Sequence, residues 1–273
     1  MKKNKHKIKF NENILNLSNL YGEEFYINQI KGSYGSAKKY VDILENIFSP
    51  KKVVDVGCGR GSWLKAFREN GAEILVGVDG PWNSQEKMIE DSISFYSADL
   101  SNPINIFESK SFDLAISLEV AEHLESKYSK IFIESLVNLS SVVLFGAAFN
   151  NQGGTNHINE QNHDYWAEIF ISFNFYPFDL FRSEVWGDEE VEFWYQQNTF
   201  LYVQKDSEVY LKLLEMGKKP ISNLKYLNCV HPKLYEIKVN YAENICLKLK
   251  KIAIKLTPIY IKNSYLIMRK FIK

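Results

Sequence analysis

The sequence predicts an α/β fold: a doubly wound, mostly parallel sheet with helices on both faces, followed by a helical C-terminal appendage. Three observations support this prediction. Short apolar runs without a helical period recur between residues 53 and 147, as expected of strands that are buried on both faces. Amphipathic segments alternate with these runs, and a glycine-rich turn follows the first run. From Lys205 onwards the pattern becomes helical and lysine-rich, so the domains are predicted as 1–205 and 206–273.

In chain order, the elements follow a β-α-β alternation. A basic start at 1–20 precedes a turn at 32–36, after which an amphipathic helix carries Tyr40 and Leu44 and ends at Pro50. Ser62 is the expected N-cap of the helix after the glycine-rich turn. The other expected elements are strands at 53–56, 74–78, 93–96, 112–117, 142–147 and 200–203, and helices at 62–69, 103–109, 128–138 and 164–172.

The composition limits the possible function classes. The 33 basic and 33 acidic residues balance, which argues against a general nucleic-acid binder. Cys58, Cys229 and Cys246 lack metal-site spacing and indicate a reducing, cytoplasmic compartment. The lysine-rich start has no apolar stretch behind it, so no signal peptide is expected, and no apolar run is long enough to predict a transmembrane segment.

The turn after the first strand is typical of a nucleoside-binding site. Asp55 precedes three alternate glycines, Gly57, Gly59 and Gly61, which suit a tight turn where backbone approaches a ligand. The second strand ends in Asp79, roughly 20 residues further on, the spacing at which an acid accepts hydrogen bonds from a ribose diol. A carboxylate at Asp55 would repel a pyrophosphate but suits an ammonium or sulfonium group.

These residues resemble the class I S-adenosylmethionine (SAM)-dependent methyltransferases, whose first motif is D-x-G-C-G-x-G, here at 55–61. Segments 97–100 and 111–124 resemble the adenine-flanking segment and the fourth strand of that family. The resemblance implies a Rossmann-like fold with a final antiparallel strand, and SAM as the cofactor. Asp55 and the glycines would hold the methionine portion, Asp79 the ribose, and segment 99–100 the adenine. The expected cofactor-binding residues are Asp55, Gly57, Cys58, Gly59, Gly61, Trp63, Asp79, Gly80, Asp99, Leu100, Leu118 and Tyr34.

Two features of this set stay open. In the resembled fold the segment around Tyr34 and Ser36 lies over the cofactor, but a plain turn and N-cap explain these two residues equally well. The histidines near the strand ends are candidates for the chemistry, because methyl transfer to an alcohol needs a general base or a metal. The expected catalytic residues are His157, His123 and Glu119, with His163 as a less favoured base or ligand.

Glu119, Glu122 and His123 form an E-x-x-E-H element. At helical spacing these side chains share a face, and with His157 they would make an oxygen and nitrogen site suited to Mg²⁺ or Mn²⁺. The element resembles that of some metal-dependent O-methyltransferases that act on RNA 3′ ends and on quinone precursors. The alternative is a strand end and a helix start that hold no metal.

A narrower resemblance concerns the acceptor. The polar loop at 148–165 and the aromatic segment at 191–203 resemble bacterial methyltransferases of surface-polysaccharide gene clusters. That resemblance implies a small-molecule acceptor, a hydroxyl of a nucleotide-linked sugar such as a heptose, in capsule biosynthesis. Amide and aromatic groups suit polyhydroxylated rings, so the expected substrate contacts are Asn156, Asn159, Gln161, Trp194, Tyr195 and Gln196.

Three other functions remain open at this point. The acceptor could be a phosphoramidate or another capsule decoration, or an RNA or quinone-type hydroxyl. The chain could also bind SAM without catalysis. The last stretch is amphipathic and basic, and we expect it to dock on the domain or on a second copy, as a homodimer, with an anionic membrane surface as the alternative.

Overall fold

The computed structural model describes residues 23–256, and side chains within residues 32–253. Its centre is a seven-stranded sheet in the order β3-β2-β1-β4-β5-β7-β6. Strands β1 to β5 pair in parallel, whereas β7 runs antiparallel to both β5 and β6. This confirms the predicted doubly wound sheet with a final antiparallel strand. The strands are β1 Lys52–Val56, β2 Ile74–Asp79, β3 Ile93–Ser97, β4 Leu114–Leu118, β5 Val142–Gly146, β6 Phe175–Phe178 and β7 Phe200–Gln204.

Helices of the first unit pack on both faces of this sheet. The helices before Cys229 are α1 Glu23–Glu45, α2 Ser62–Glu69, α3 Ser129–Leu139, α4 His163–Ser172, α5 Arg182–Val185, α6 Phe193–Asn198 and α7 Glu208–Glu215. The later helix α8 is Pro232–Leu256. Short 3₁₀ turns lie at Gln85–Lys87, Ala121–His123, Ser126–Tyr128 and Leu224–Leu227.

Strand β1 shows why unbroken apolar runs predicted this sheet. Val53 belongs to one apolar cluster, together with Leu64 of α2, and Val54 belongs to a second cluster, together with Phe132 and Leu136 of α3. Successive side chains of a strand point to opposite faces, so a strand covered on both sides needs apolar residues at every position. The polar residues at the carboxyl ends of the strands therefore lie together along one edge of the sheet.

The turn expected at 32–36 is wrong, because α1 runs through it. Ser36 Oγ donates to the carbonyl oxygen of Gly32 at 2.7 Å, one helical turn earlier, instead of capping a helix. Gly32 and Gly35 give room to a neighbouring loop: a Cβ at Gly32 would lie 2.4 Å from Glu192 Oε1, and one at Gly35 would lie 3.2 Å from the carbonyl oxygen of Glu190. These glycines serve close packing rather than a turn.

Two further local expectations are corrected. Gly61, with φ of 84°, occupies the N-cap position of α2, so Ser62 is the first helical residue and makes no side-chain cap. No helix forms at 103–109. Hydrogen bonds to the region of α3 fix the start of that segment and the residue after it. Ile104 N donates to Ser135 Oγ at 3.1 Å, and Lys110 Nζ donates to the carbonyl oxygen of Ser140 at 3.0 Å.

The chain divides into two compact units, one ending at Cys229 and the other beginning at Val230. The predicted boundary after Lys205 falls inside the first unit. Tyr210 and Leu213 of α7 are buried in the same apolar cluster as Phe178 of β6, which ties α7 to the sheet. The expectations for residues 1–20 and for the stretch beyond 256 lie outside the described residues. Among residues 23–256, no helix has the length and apolar character needed to cross a membrane.

This boundary predicts how truncated chains behave. A chain that ends after Cys229 should unfold in one cooperative step with nearly the stability of the first unit in the intact protein. A chain that ends after Lys205 loses the buried Tyr210, Leu213 and Leu227, each worth roughly 2 kcal/mol, and should be largely unfolded. Urea unfolding followed by circular dichroism compares the two, and equal stability would contradict the boundary.

Candidate functional site

The glycine-rich loop after β1 is folded tightly against β2 and against the segment that follows β4. Gly57 N donates to the carbonyl oxygen of Val78 at 2.7 Å, and Gly57 has φ of 86°, in the left-handed region that favours glycine. A Cβ at Gly57 would lie 2.2 Å from Cγ2 of Val120, which follows β4. Gly59 and Gly61 also have positive φ. The loop therefore requires glycine both for its conformation and for its contact with the segment after β4.

Asp79 lies behind this loop. Its Oδ2 accepts from Gly59 N at 2.8 Å, and its Oδ1 accepts from Gly80 N at 2.6 Å. Asn83 completes the support, because its side chain donates to the carbonyl oxygen of Gly59 while its Oδ1 accepts from Arg60 Nη1 at 3.3 Å. Asn83 is buried and was not expected from the sequence, where it is one polar residue in a polar stretch.

A crevice opens beside the loop at the carboxyl edge of the sheet. Among the expected cofactor residues, Asp55, Gly57, Cys58, Gly59, Trp63 and Leu118 line it. Tyr195, expected as a substrate contact, also lines it, and its hydroxyl lies 3.0 Å from Ser33 Oγ. The sequence reasoning missed three lining residues, Ser33, Arg60 and Ser62, since single serines and arginines carry no distinctive signal.

Four expected cofactor residues have other surroundings. Tyr34 donates its hydroxyl to Glu69 on α2. Asp99 is exposed, and its carboxylate accepts from the backbone and hydroxyl of Ser101, as in a local turn. Leu100 belongs to the apolar core, and Gly80 packs under the ring of Trp82.

The crevice has an acidic floor. Asp55 is only 4% exposed, and burial together with the neighbouring Asp79 raises the pKa of Asp55 to about 8. Burial also raises the pKa of Asp79, to about 6, although hydrogen bonds from Gly80 and Gly59 act in the opposite direction. Asp55 lines the crevice and Asp79 lies behind the loop, and because both carboxyl groups are buried, a cation in the crevice would favour their ionised forms.

A second acidic group lies directly after β4. One potential ligand atom from each of Glu122, His123 and His157 lies within 4.8 Å of the other two. Both carboxylate oxygens of Glu122 are buried, and among the described residues no lysine or arginine pairs with them. Burial, followed by the proximity of Glu119, raises the pKa of Glu122 well above its usual range, against the opposite effect of the backbone N–H groups of Glu122 and Ala148. A buried carboxylate with so little compensation fits a bound cation.

The two histidines are oriented from behind. His123 Nδ1 lies 3.3 Å from the carbonyl oxygen of Asn156, and His157 Nδ1 lies 2.8 Å from Glu160 Oε1. A nitrogen that donates in this way leaves the other ring nitrogen free as a ligand, which is the usual arrangement around metal-bound histidines. His157 Nε2 lies 4.0 Å from Glu122 Oε1. Burial, and then the neighbouring His157, lowers the pKa of His123 to about 4, so its ring is neutral at pH 7.

Glu119, the fourth expected ligand, stands outside this group of three. It has φ of 58°, and its carboxylate accepts from Asn198 Nδ2 at 2.9 Å and from Gln152 Nε2 at 3.3 Å. Burial raises the pKa of Glu119 to about 7, against the opposite effect of these two hydrogen bonds. Asn198 and Gln152 were not expected, because they lie far from Glu119 in sequence.

His163 belongs to the same buried amide network and not to the metal-ligand group. Its Nδ1 lies 2.9 Å from the carbonyl oxygen of Leu227, and its Nε2 lies 3.2 Å from Asn198 Oδ1. Both ring nitrogens are thus engaged in packing α4 against α6 and the turn at 224–227. The weaker expectation of His163 as a base or ligand finds no support in this arrangement.

Most expected sugar-binding amides are engaged within the protein. The side-chain amide of Gln196 donates to the carbonyl oxygens of Asp188 and Val191 and accepts from Gly187 N. Two further amides are also bonded within the protein, because Asn159 donates to Ser129 Oγ and Gln161 donates to Asn159. The side chain of Asn156 is exposed, and its backbone carbonyl oxygen lies near His123. The expected aromatic contact Trp194 packs beside Phe193 and Tyr195.

Comparison with known families supports the expected enzyme class for part of the chain. Residues 29–139, which are less than half of the chain, match the family model described as a methyltransferase domain. This segment is therefore similar to methyltransferases. The match begins within α1 and ends with α3, and it includes the glycine-rich loop and the Glu122 and His123 pair.

One curated relative and several solved structures are similar to parts of the chain. The ubiquinone biosynthesis O-methyltransferase of Dictyostelium discoideum mitochondria is 31% identical over 98 residues, which are 31% of this chain and 30% of that protein. The chain thus spans less than a third of this relative. A SAM-dependent methyltransferase from Archaeoglobus fulgidus is 20% identical, with a TM-score of 0.47 over 56% of this chain and 75% of that one. An O-methyltransferase family protein from Burkholderia thailandensis is 14% identical, with a TM-score of 0.45 over 62% and 56%.

The raised pKa of Asp55 predicts the pH dependence of folding. Because the folded pKa of about 8 lies above the ordinary value of 3.8, the folded state keeps a proton that the unfolded chain releases. Stability is therefore lost as the pH rises from about 4 towards 8. Asp55→Asn should remove this loss, so that between pH 5 and pH 8 its stability rises relative to the native chain by about 1–3 kcal/mol.

Chemical unfolding of the ligand-free protein at several pH values measures this difference. Asp42→Asn, at an exposed position on α1, is the matched control and should follow the native curve. Parallel curves for Asp55→Asn and the native chain would show that Asp55 keeps an ordinary pKa.

Proposed function

We propose that the protein is a SAM-dependent O-methyltransferase that acts on a hydroxyl of a nucleotide-activated sugar, such as a heptose, in capsule or surface-polysaccharide biosynthesis. The observation that carries the O-methyl assignment is the group formed by Glu122, His123 and His157, in which the Glu122 carboxylate is fully buried. A hydroxyl acceptor needs help to lose its proton, and a site for a divalent cation beside the cofactor crevice would supply it.

The cofactor would occupy the crevice at the carboxyl edge of the sheet. SAM carries a sulfonium and an ammonium group, and the buried carboxyl of Asp55 offers the charge that these cations need. The glycine-rich loop lets the methionine portion approach the backbone, and Asp79 would accept from the ribose hydroxyls. Parallel α/β sheets bind ligands in this position, outside the carboxyl ends of their strands.

The candidate cation site adjoins this crevice through the backbone. Leu118 lines the crevice, Val120 contacts the loop at Gly57, and the 3₁₀ turn that follows carries Glu122 and His123. Glu122, His123 and His157 would hold Mg²⁺ or Mn²⁺, which when bound lowers the pKa of a nearby hydroxyl. Glu160 and the carbonyl of Asn156 would fix the tautomers of the two histidines.

The sugar acceptor rests on the sequence resemblance of the loop at 148–165 and the segment at 191–203. Tyr195, from that segment, lines the crevice, and the loop supplies His157. A second candidate acceptor is a quinone-type phenol. It is favoured by the E-x-x-E-H element and by the 31% identity to a ubiquinone biosynthesis O-methyltransferase.

The metal proposal predicts the effect of removing one ligand. Glu122→Gln should abolish most turnover at a low Mn²⁺ concentration, with partial recovery at high Mn²⁺, because a neutral amide binds the cation more weakly. The variant should be at least as stable as the native chain without metal, since it no longer buries an ionisable carboxyl group. Glu125→Gln, at an exposed position three residues later, is the matched control and should keep native turnover.

Turnover that survives EDTA and is unchanged in Glu122→Gln would exclude the metal and leave a histidine as the base. Undiminished rates in both His123→Ala and His157→Ala would then exclude the histidines as well.

The acceptor proposal predicts the outcome of a substrate panel. Conversion of SAM to its demethylated product should be stimulated by nucleotide-linked sugars, and mass spectrometry should locate the new methyl group on a sugar oxygen. Stimulation only by a catechol-type quinone precursor would establish the second candidate. Binding of SAM without turnover on any acceptor, nucleotide phosphoramidates included, would favour a non-catalytic subunit.

A further inference from the structure

The second unit presents an apolar stripe that no described residue covers. Tyr241, Ile245, Leu249 and Ile252 of α8 follow one another at helical spacing and are 67%, 40%, 59% and 53% exposed. Residues spaced by four, four and three share one face of a helix. Large apolar side chains in such a continuous stripe are characteristic of a binding surface.

The charge of this region is strongly segregated. Residues 244–273 contain eight lysines and arginines and no acidic residue, although the whole chain is balanced at 33 and 33. The rest of the chain therefore carries an excess of eight acidic residues. On α8, Lys248, Lys250 and Lys251 are exposed beside the stripe. Their aliphatic stems can lie along an apolar layer while the ammonium groups stay in water.

We propose that α8 is a membrane-surface anchor, whose apolar stripe lies in the headgroup region of an anionic bilayer while its lysines contact lipid phosphates. Charge complementarity decides among the possible occupants. A second copy of α8 would bring two strongly basic segments together, which like-charge repulsion opposes. A nucleic acid would supply negative charge for the lysines but no apolar layer for the stripe. An anionic bilayer supplies both, because an amphipathic basic helix is stabilised there by burial of its apolar face and by attraction to the lipid charge.

This inference is independent of the proposed acceptor. It places the second unit at a membrane surface and would concentrate the methyltransferase domain where lipid-linked or membrane-associated reactions occur.

Sedimentation of the full chain with lipid vesicles tests the proposal. Vesicles of phosphatidylcholine with about 30% phosphatidylglycerol should bind the protein at least about tenfold more strongly than phosphatidylcholine alone, and high salt should weaken the binding. Leu249→Glu should reduce binding by about tenfold, because it places a charge in the stripe. Asn244→Glu, which adds the same charge on the polar side of α8, should reduce it much less.

A second pair of variants tests the charge requirement. Reversal of Lys248, Lys250 and Lys251 to glutamate should abolish the preference for anionic vesicles. The same reversal of the exposed Lys212, Lys218 and Lys219, in the first unit, should leave the preference intact. Circular dichroism and SAM binding confirm that each variant is folded.

Three results would overturn the proposal. Equal binding to neutral and anionic vesicles would show that the lysines of α8 do not contribute to membrane binding. A dimer by light scattering that Leu249→Glu converts to a monomer, without vesicle binding by the native chain, would show that a second copy covers the stripe. Binding to RNA that is as tight as binding to vesicles and unaffected by Leu249→Glu would show that the lysines serve a nucleic acid.

Discussion

The burial of carboxyl groups away from lysine and arginine side chains dominates this structure. Asp55 and Glu122 are 4% and 0% exposed, and the basic side chain beside Glu122 is that of His157, whose Nε2 lies 4.0 Å from Glu122 Oε1. Such groups cost several kcal/mol each unless they are protonated or meet a cation. Apolar residues at these two positions would give a more stable fold. The presence of carboxyl groups at the carboxyl edge of the sheet therefore points to cationic ligands. The sulfonium of SAM suits the first group, and a divalent metal suits the second.

The amide network around Glu119 connects this edge to the end of the first unit. Asn198 on α6 and Gln152 in the loop hold the Glu119 carboxylate, and His163 extends the network to the backbone of Leu227. Arg182 donates to the carbonyl oxygens of Gln197 and Leu227, which closes the network. Every link joins residues that are distant in sequence. The conformation of Glu119, with its positive φ, therefore depends on the whole of the first unit being folded.

Most of the sheet was predictable because its signals are local. Unbroken apolar runs predict strands buried on both faces, and the Asp55–Gly61 pattern predicts a ligand-binding turn from only seven residues. Interactions between distant segments were not predictable. Gly32 looked like part of a turn because its real partner, Glu192, lies far along the chain. Glu192 occupies the space that a side chain at position 32 would fill. Gln196 looked like a substrate contact because its backbone partners at 187–191 appear only in the folded protein.

Isothermal titration calorimetry of the intact chain with SAM measures whether the crevice beside the glycine-rich loop is the cofactor site. We expect one SAM per chain and a large loss of affinity in Asp79→Asn, because the amide replaces a carboxylate that would accept two ribose hydroxyls. Asp99→Asn, which changes an exposed carboxylate bonded to Ser101, should bind almost as tightly as the native chain. The absence of binding by the folded native protein, or equal affinities for the native chain and Asp79→Asn, would show that SAM does not bind there in this way.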